Sequence, residues 1–233
     1  MMSLKDNIKR IPIISSCAKW VYYLLLEPFQ RFPGSGDYWQ NRYRQGGVSG
    51  EGSVGILAQY KANIINQFIT DNAIASVIEV GCGDGDQLAL LNCAEYTGVD
   101  ISEQVLESCR NRFKNDPSKS FMRLAELGDR QSDLALSLDV VYHLVEDEVF
   151  HAHMQQLTVS ASQFLIVYSS NTDKQQLIQG KHIRHRKFTD WLEKHASNWK
   201  LDEHIPNKYP YRGNDSTGSF ADFYIFRKAT NSL

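Results

Sequence analysis

The chain has 233 residues, 42% of them hydrophobic and 22% charged, an ordinary balance for a soluble globular protein and enough for one well-packed domain. Its net charge of −2 offers no strong global field for nucleic acid or anionic lipid. Its four cysteines, Cys17, Cys82, Cys93 and Cys109, contain no C-x-x-C pair, so they read as reduced thiols of a cytoplasmic protein rather than a disulfide scaffold or a structural zinc site.

In chain order, Lys5, Lys9 and Arg10 precede the apolar run "IPIISSCAKWVYYLLLEPF". Lys19 interrupts that run and Glu27-Pro28 ends it, so the uninterrupted part is too short to span a bilayer. An amphipathic helix is expected, packed on its own domain or making a peripheral contact with the inner membrane or another subunit. The polar segment "GSGDYWQNRYRQGGVSGEGSVG" follows, loop-like in composition but carrying Tyr38, Trp39 and Tyr43. Its glycines suit either a lid or plain disorder. Residues 1–53 are therefore read as an N-terminal helical extension and lid segment, and 54–233 as the catalytic domain.

Apolar positions at helical spacing over 54–70 predict a helix. Residues 76–80 predict a first strand, "EYTGVD" a second ending at Asp100, "SFMRLA" a third, "SDLALSLDVVYHL" a fourth passing into a loop at Asp139, and "QFLIVYSS" a fifth. Helices are expected over "SEQVLESCRNRF", with Ser102 as N-cap, over 146–159 and over 186–196. "WKLDEHI" and "ADFYIFRK" predict two late strands in an antiparallel ending. Strands alternating with helices over this length indicate a parallel sheet covered on both faces.

The stretch "SVIEVGCGDGDQLALL" carries the chemistry. An apolar strand holding Glu79 meets Gly81, Gly83 and Gly85 at alternate positions, and residues 87–91 read as the first turns of a helix. Glycine permits positive φ and lets a ligand approach the backbone. A strand, a glycine turn and a helix make a nucleotide-binding unit, and Asp100 at the end of the second strand is placed to accept both ribose hydroxyls of an adenosine. The spacing is G-x-G-x-G rather than G-x-G-x-x-G. Asp84 and Asp86 sit where a dinucleotide would put its pyrophosphate, at a helix N-terminus that favours anions. A ligand that is cationic there, such as S-adenosylmethionine, fits better.

"VIEVGCGDG" followed by "YTGVD", with "DLALSLDVVYHL", resembles the motifs of class I S-adenosylmethionine-dependent methyltransferases over residues 54 to 228. The resemblance implies a Rossmann-like α/β fold, a seven-stranded sheet in the order 3-2-1-4-5-7-6 with strand 7 antiparallel. "YWQNRYRQGGVSGEGSVG", "HIRHRKFTDWL" and "IPNKYPYRGNDSTGSFADFYIF" further resemble a bacterial subgroup associated with surface-polysaccharide and glycan biosynthesis. The family pattern implies that Glu79 sits under S-adenosyl-L-methionine and orders the turn through backbone N–H groups. Gly81, Gly83 and Gly85 would admit methionine and ribose, with Cys82 packing among them. Asp100 would hold the ribose hydroxyls and Ile101 would pack on adenine. Glu126, or else Asp129, would meet the adenine amino group, and Leu138 and Asp139 would line the methionine end. Tyr38 and Arg42 would close over the cofactor, Arg42 pairing with the methionine carboxylate, or else Trp39 and Tyr43 cap the core and Arg42 is solvated.

For the acceptor, the same resemblance points to the ends of strands four and five. His143 is the expected base, an imidazole with a near-neutral pKa, or else a structural histidine; Tyr142 and Asp139 are the alternatives. The basic stretch "GKHIRHRKF", with His182, Arg184 and His185, reads either as an anion clamp or as a solvated helix start. Tyr209 and Tyr211 read either as a stacking surface or as stiffeners of a connection. The implied activity is methyl transfer to an oxygen of a small-molecule or glycan-linked acceptor. Nucleic acid is not the expected acceptor, since no N-P-P-Y-type motif follows strand four. Two rivals stay open: a catalytically silent cofactor-binding or scaffold protein of a glycan assembly complex, and an NAD-dependent oxidoreductase.

Overall fold

The computed structural model describes residues 31–177 and 179–229. The expected N-terminal helix, and Cys17 within it, lie outside the described residues. Helix α1 (Ser35–Arg44) leads through a 3-10 turn (Glu51–Ser53) into α2 (Gly55–Asp71). Then come β1 (Ser76–Val80), β2 (Glu95–Asp100), α3 (Glu103–Arg112), β3 (Lys119–Arg123), the single turn α4 (Leu124–Leu127) and β4 (Ser132–Leu138). A 3-10 turn (Val141–His143), α5 (Asp147–Val159), β5 (Ala161–Ser169), α6 (Phe188–His195), β6 (Trp199–Ile205) and β7 (Asp222–Lys228) complete the chain.

The seven strands form one sheet in the order β3-β2-β1-β4-β5-β7-β6. β1 to β5 pair in parallel, and β7 runs antiparallel between β5 and β6. This is the Rossmann-like methyltransferase fold expected from the motifs. The central strands are buried on both faces, as a covered parallel sheet requires. Alternation sorts their side chains: Val77, Leu134, Leu136 and Ile166 pack with Ala62, Ile65 and Ile69 of α2. Ile78, Ala135, Leu165 and Val167 pack with Met154 and Leu157 of α5 and Leu192 of α6.

Two local expectations need correction. Residues 87–91 do not begin a helix; only a 3-10 turn over Leu88–Leu90 forms. Helix α2 takes hold of this stretch from the side. The Gln87 amide donates to the Ala58 carbonyl, Asn66 Nδ2 to the Leu90 carbonyl, and Asn92 N to Asn66 Oδ1. Those bonds, with Leu88 and Leu91 buried, turn the chain straight into β2. Ser102 occupies the N-cap position of α3 without a side-chain cap bond; instead its own N–H donates to Asp100 Oδ1 at 2.9 Å.

Candidate active site

The glycine loop leaves β1 with φ of +91° at Gly81 and +57° at Gly83, values that L side chains rarely adopt. Space forbids a side chain as well: a Cβ on Gly81 would stand 2.5 Å from Val140 and one on Gly83 2.3 Å from Ser49 Oγ. The loop's N–H groups are satisfied from β2 and from Ser49. Gly81 and Cys82 donate to the Val99 carbonyl, Gly83 to Asp100 Oδ2 at 3.2 Å, and Asp84 to Ser49 Oγ at 3.0 Å. Glu79 therefore does not order the turn through those donors. Its Oε2 accepts from Tyr96 Oη at 2.6 Å, and burial lifts its carboxyl to about 7. Asp84 and Asp86 turn away from the ligand space: Asp84 Oδ2 accepts from Ser49 N and Asp86 pairs with Arg112 at 2.6 Å.

At the carboxyl ends of β1, β2 and β4 lies a cavity of about 500 Å³, at the switch point where doubly wound sheets bind ligands. One end is lined by Asp100, Ile101, Leu124, Val140, Leu144, Val149 and Ala152. With Glu148 and His153 also in the lining, this is a mainly apolar wall carrying the carboxylates of Asp100 and Glu148, and it suits an adenosine. Burial raises the Asp100 carboxyl, opposed by the N–H groups of Ser102 and Gly83. The other end is polar, lined by Tyr43, Ser49, Ser53, Lys61, Glu79, Gln87 and Asp139 beside Gly81, Cys82, Gly83 and Leu138.

Helix α1 roofs the cavity through Ser35, Gly36, Trp39, Gln40 and Tyr43, residues that recur every three or four positions and so share one helical face. It is latched at both ends. Ser35 N and Oγ donate to Glu146 at 2.9 and 2.6 Å, and Val145 N donates to Ser35 Oγ. Tyr43 Oη meets Ser49 Oγ at 3.2 Å.

Asp139 is the geometric centre of the polar end. It adopts φ of +59°, a conformation tolerated by Asp but costly unless its surroundings enforce it. Its N–H donates to the Tyr168 carbonyl. Its Oδ2 accepts from Lys61 Nζ at 2.6 Å and its Oδ1 from Tyr142 Oη at 2.7 Å. Lys61 is 1% exposed and lies over the Tyr168 ring at 5.3 Å. His143 lines the cavity against Trp39, with ring centroids 4.9 Å apart. Its Nδ1 is 3.0 Å from the His182 carbonyl. A carbonyl only accepts, so Nδ1 carries the proton and Nε2 the lone pair. Burial lowers this imidazole to about 4, so it is neutral at pH 7.

Several expected site residues lie off the cavity. Tyr38 and Arg42 occupy the neighbouring stripe of α1: Tyr38 stacks on His182 at 4.6 Å, while Arg42 donates to the Val48 carbonyl at 2.7 Å and covers Trp39. Glu126 folds back to accept from Arg123 N at 3.0 Å, and Asp129 is exposed. Tyr142 lies behind Asp139 rather than on the cavity wall.

Two arginines of the basic stretch are engaged with the loop after β4, and Lys187 stands exposed at the start of α6. Arg184 and Arg186 both pair with Asp147, and both donate to the Val145 carbonyl. His185 bonds Ser170 at 2.8 Å. Tyr209 packs edge-on against Tyr60, and Tyr211 against Phe220. Lys61 and Gln87 went unassigned in the sequence reading, and Trp39 was read only as an entrance aromatic or core cap. The available signal for Lys61 was its register, since it falls among Leu57, Ala58, Ala62 and Ile65 on the buried face of α2.

Residues 78–172 match the methyltransferase domain family. No curated protein sequence matches the chain. Among solved structures, magnesium protoporphyrin IX methyltransferase from Synechocystis PCC 6803 with bound S-adenosylhomocysteine is 19% identical, with a TM-score of 0.58 over 83% of this chain and 97% of that one. The N-methyltransferase NodS from Bradyrhizobium japonicum WM9 is 13% identical, with a TM-score of 0.57 over 74% and 94%. The small RNA methyltransferase HEN1 is 18% identical, with a TM-score of 0.54 over 76% of this chain and 25% of that one. At these identities the likeness is one of fold. Residues 78–172 thus match a methyltransferase domain, they lie in a sheet of the methyltransferase strand order, and the glycine-cradled cavity with Asp100 at its edge fits S-adenosyl-L-methionine as the cofactor.

Proposed function

We propose that the protein transfers the methyl group of S-adenosylmethionine to a hydroxyl of an uncharged small-molecule or glycan-linked acceptor, beneath the lid formed by α1. The observation that carries this reading is the fixed tautomer of His143: Nδ1 is committed to the His182 carbonyl, so the nitrogen left over can only accept a hydrogen bond. A neutral imidazole in a cavity wall suits a hydroxyl, whose proton must be held while its oxygen attacks the methyl carbon in line. The commitment of Arg184 and Arg186 to Asp147 favours an acceptor without phosphate or carboxylate. Resemblance over residues 38–55, 182–192 and 205–226 supports a sugar hydroxyl in surface-glycan synthesis. What the cofactor supplies is a methyl already activated by its sulfonium. The chain's part is alignment, exclusion of water and acceptance of the hydroxyl proton.

The test is kinetic, using a panel of sugar acceptors and their amino-sugar counterparts. His143→Ala is expected to lower kcat by about 10²-fold, the low end of general-base effects because an imidazole near pH 4 is a weak base. S-adenosylhomocysteine affinity should change little. Because burial lowers the imidazole to about 4, the wild-type rate should stay level from pH 8 to pH 6 and fall only as the pH approaches that value. Wild-type kcat in His143→Ala, or faster transfer to the amino sugars, would remove the assignment.

A further inference from the structure

We propose that Lys61, Asp139 and Gln87 form a clamp for the α-amino-carboxylate end of the cofactor, Lys61 taking the carboxylate and Asp139 with Gln87 the ammonium. This rests on S-adenosylmethionine as the cofactor and assigns its charged end to specific side chains of this chain.

Three observations carry the assignment. First, Lys61 is the sole lysine or arginine among the described residues lining the cavity. Arg42, the other candidate for the carboxylate, lies off the cavity and is bonded to Val48. A carboxylate brought into an enclosed site needs a cation there, because its lost hydration is not otherwise replaced. Second, the Gln87 side chain lines the cavity and is 4% exposed, yet its Oε1 has no hydrogen-bond partner. Buried acceptors are nearly always satisfied, so an orphan facing ligand space marks where a donor arrives. Its Nε2 is held by the Ala58 carbonyl, one turn of α2 before Lys61, which brings amide and ammonium to one side of that helix. Third, Lys61 is bound to Asp139 Oδ2 at 2.6 Å. The pair has the same two charges as the amino-acid end it would meet. A carboxylate joining Lys61 and an ammonium joining Asp139 extend a two-charge contact into a four-charge one with no net charge added. Lys61 has three N–H donors, so Asp139 need not leave.

The experiment is isothermal titration of the full chain with three ligands. S-adenosylhomocysteine carries both charges, its decarboxylated analogue only the ammonium, and 5′-methylthioadenosine neither. Lys61→Met should weaken S-adenosylhomocysteine by about 10–100-fold, the effect of losing a charged hydrogen bond. It should bring that ligand close to the decarboxylated analogue and leave 5′-methylthioadenosine unchanged. Gln87→Leu should weaken both ammonium-bearing ligands by a common factor and preserve the ratio between them. Binding of 5′-methylthioadenosine reports that each variant is folded. Should Lys61→Met fail that control, Lys61→Met combined with Asp139→Asn removes both charges. The ratio of the two amine ligands still isolates the carboxylate contact. An unchanged ratio in a folded Lys61 variant overturns the clamp and leaves the cofactor in place. A folded wild-type protein that binds none of the three overturns the cofactor assignment and the clamp with it.

Discussion

Glu79 is 2% exposed and bonded to Tyr96, and burial lifts its carboxyl from the ordinary 4.5 to about 7. A group raised in the folded state binds its proton more tightly there than in the unfolded chain. Its contribution is complete below the unfolded pKa and lost as the pH rises through the folded one. Glu79→Gln keeps an acceptor for Tyr96 while removing the ionisation. Urea unfolding should therefore show the variant gaining about 3 kcal/mol on the wild type between pH 4.5 and pH 7; a gap that does not move with pH would mean Glu79 is ordinary. His143 and His153, both lowered to about 4 by burial, act oppositely. Their contribution is present above pH 6.5 and lost as the pH falls, in the variant as in the wild type. At this scale the sequence was legible where backbone geometry dictates the residue, as at Gly81, Gly83 and Asp100. It was illegible where a side chain had competing partners close at hand. Glu126 found its own backbone, as acids in turns readily do. The choice between Tyr38 and Trp39 depended on the phase of α1, which composition does not report.

Between β5 and α6, residues 182–187 act as a strap. Arg184 N donates to the Tyr142 carbonyl, and Arg186 donates to the Leu144 and Val145 carbonyls, pairs with Asp147 and covers Phe150 at 4.7 Å. These bonds fix the loop that carries His143. The cationic run thus reads as a binding surface in sequence and performs a positioning task in space, because the carbonyls it satisfies are distant along the chain. Arg186→Met should cost about 1–3 kcal/mol by urea unfolding, the penalty for leaving the Leu144 and Val145 carbonyls without their donor. Acceptor KM in the wild type should be insensitive to salt. A steep salt dependence of KM would restore the anion clamp. The short β1–β2 crossover was likewise unreadable from local periodicity, since the bonds from Asn66 and to Ala58 that stop the helix come from α2.

For the molecule as a whole, a covered parallel sheet with an antiparallel ending was legible in the alternation of apolar strands and helices, while the strand order was legible only through the resemblance of the motifs to class I methyltransferases. The glycine loop also opens into a 3-10 turn rather than a full helix, so no helix N-terminus is presented to a pyrophosphate. S-adenosylhomocysteine at a hundred times its dissociation constant should add about 2.7 kcal/mol of stability, which for a chain of this size raises Tm by about 5–10 °C. NAD at the same concentration should not move it, and an equal shift would reopen the oxidoreductase reading. The position of β7 has a consequence for synthesis. It seats between β5 and β6, yet it follows β6 in the chain. When residues 199–205 emerge from the ribosome, β7 has not yet emerged, and the β5 edge that it will cover stands open. An unpaired edge next to a finished sheet is a template for another nascent chain. The interval between the emergence of Ile205 and that of Lys228 is therefore when the β5 edge is open to another nascent chain, and a chaperone covering that edge would act there.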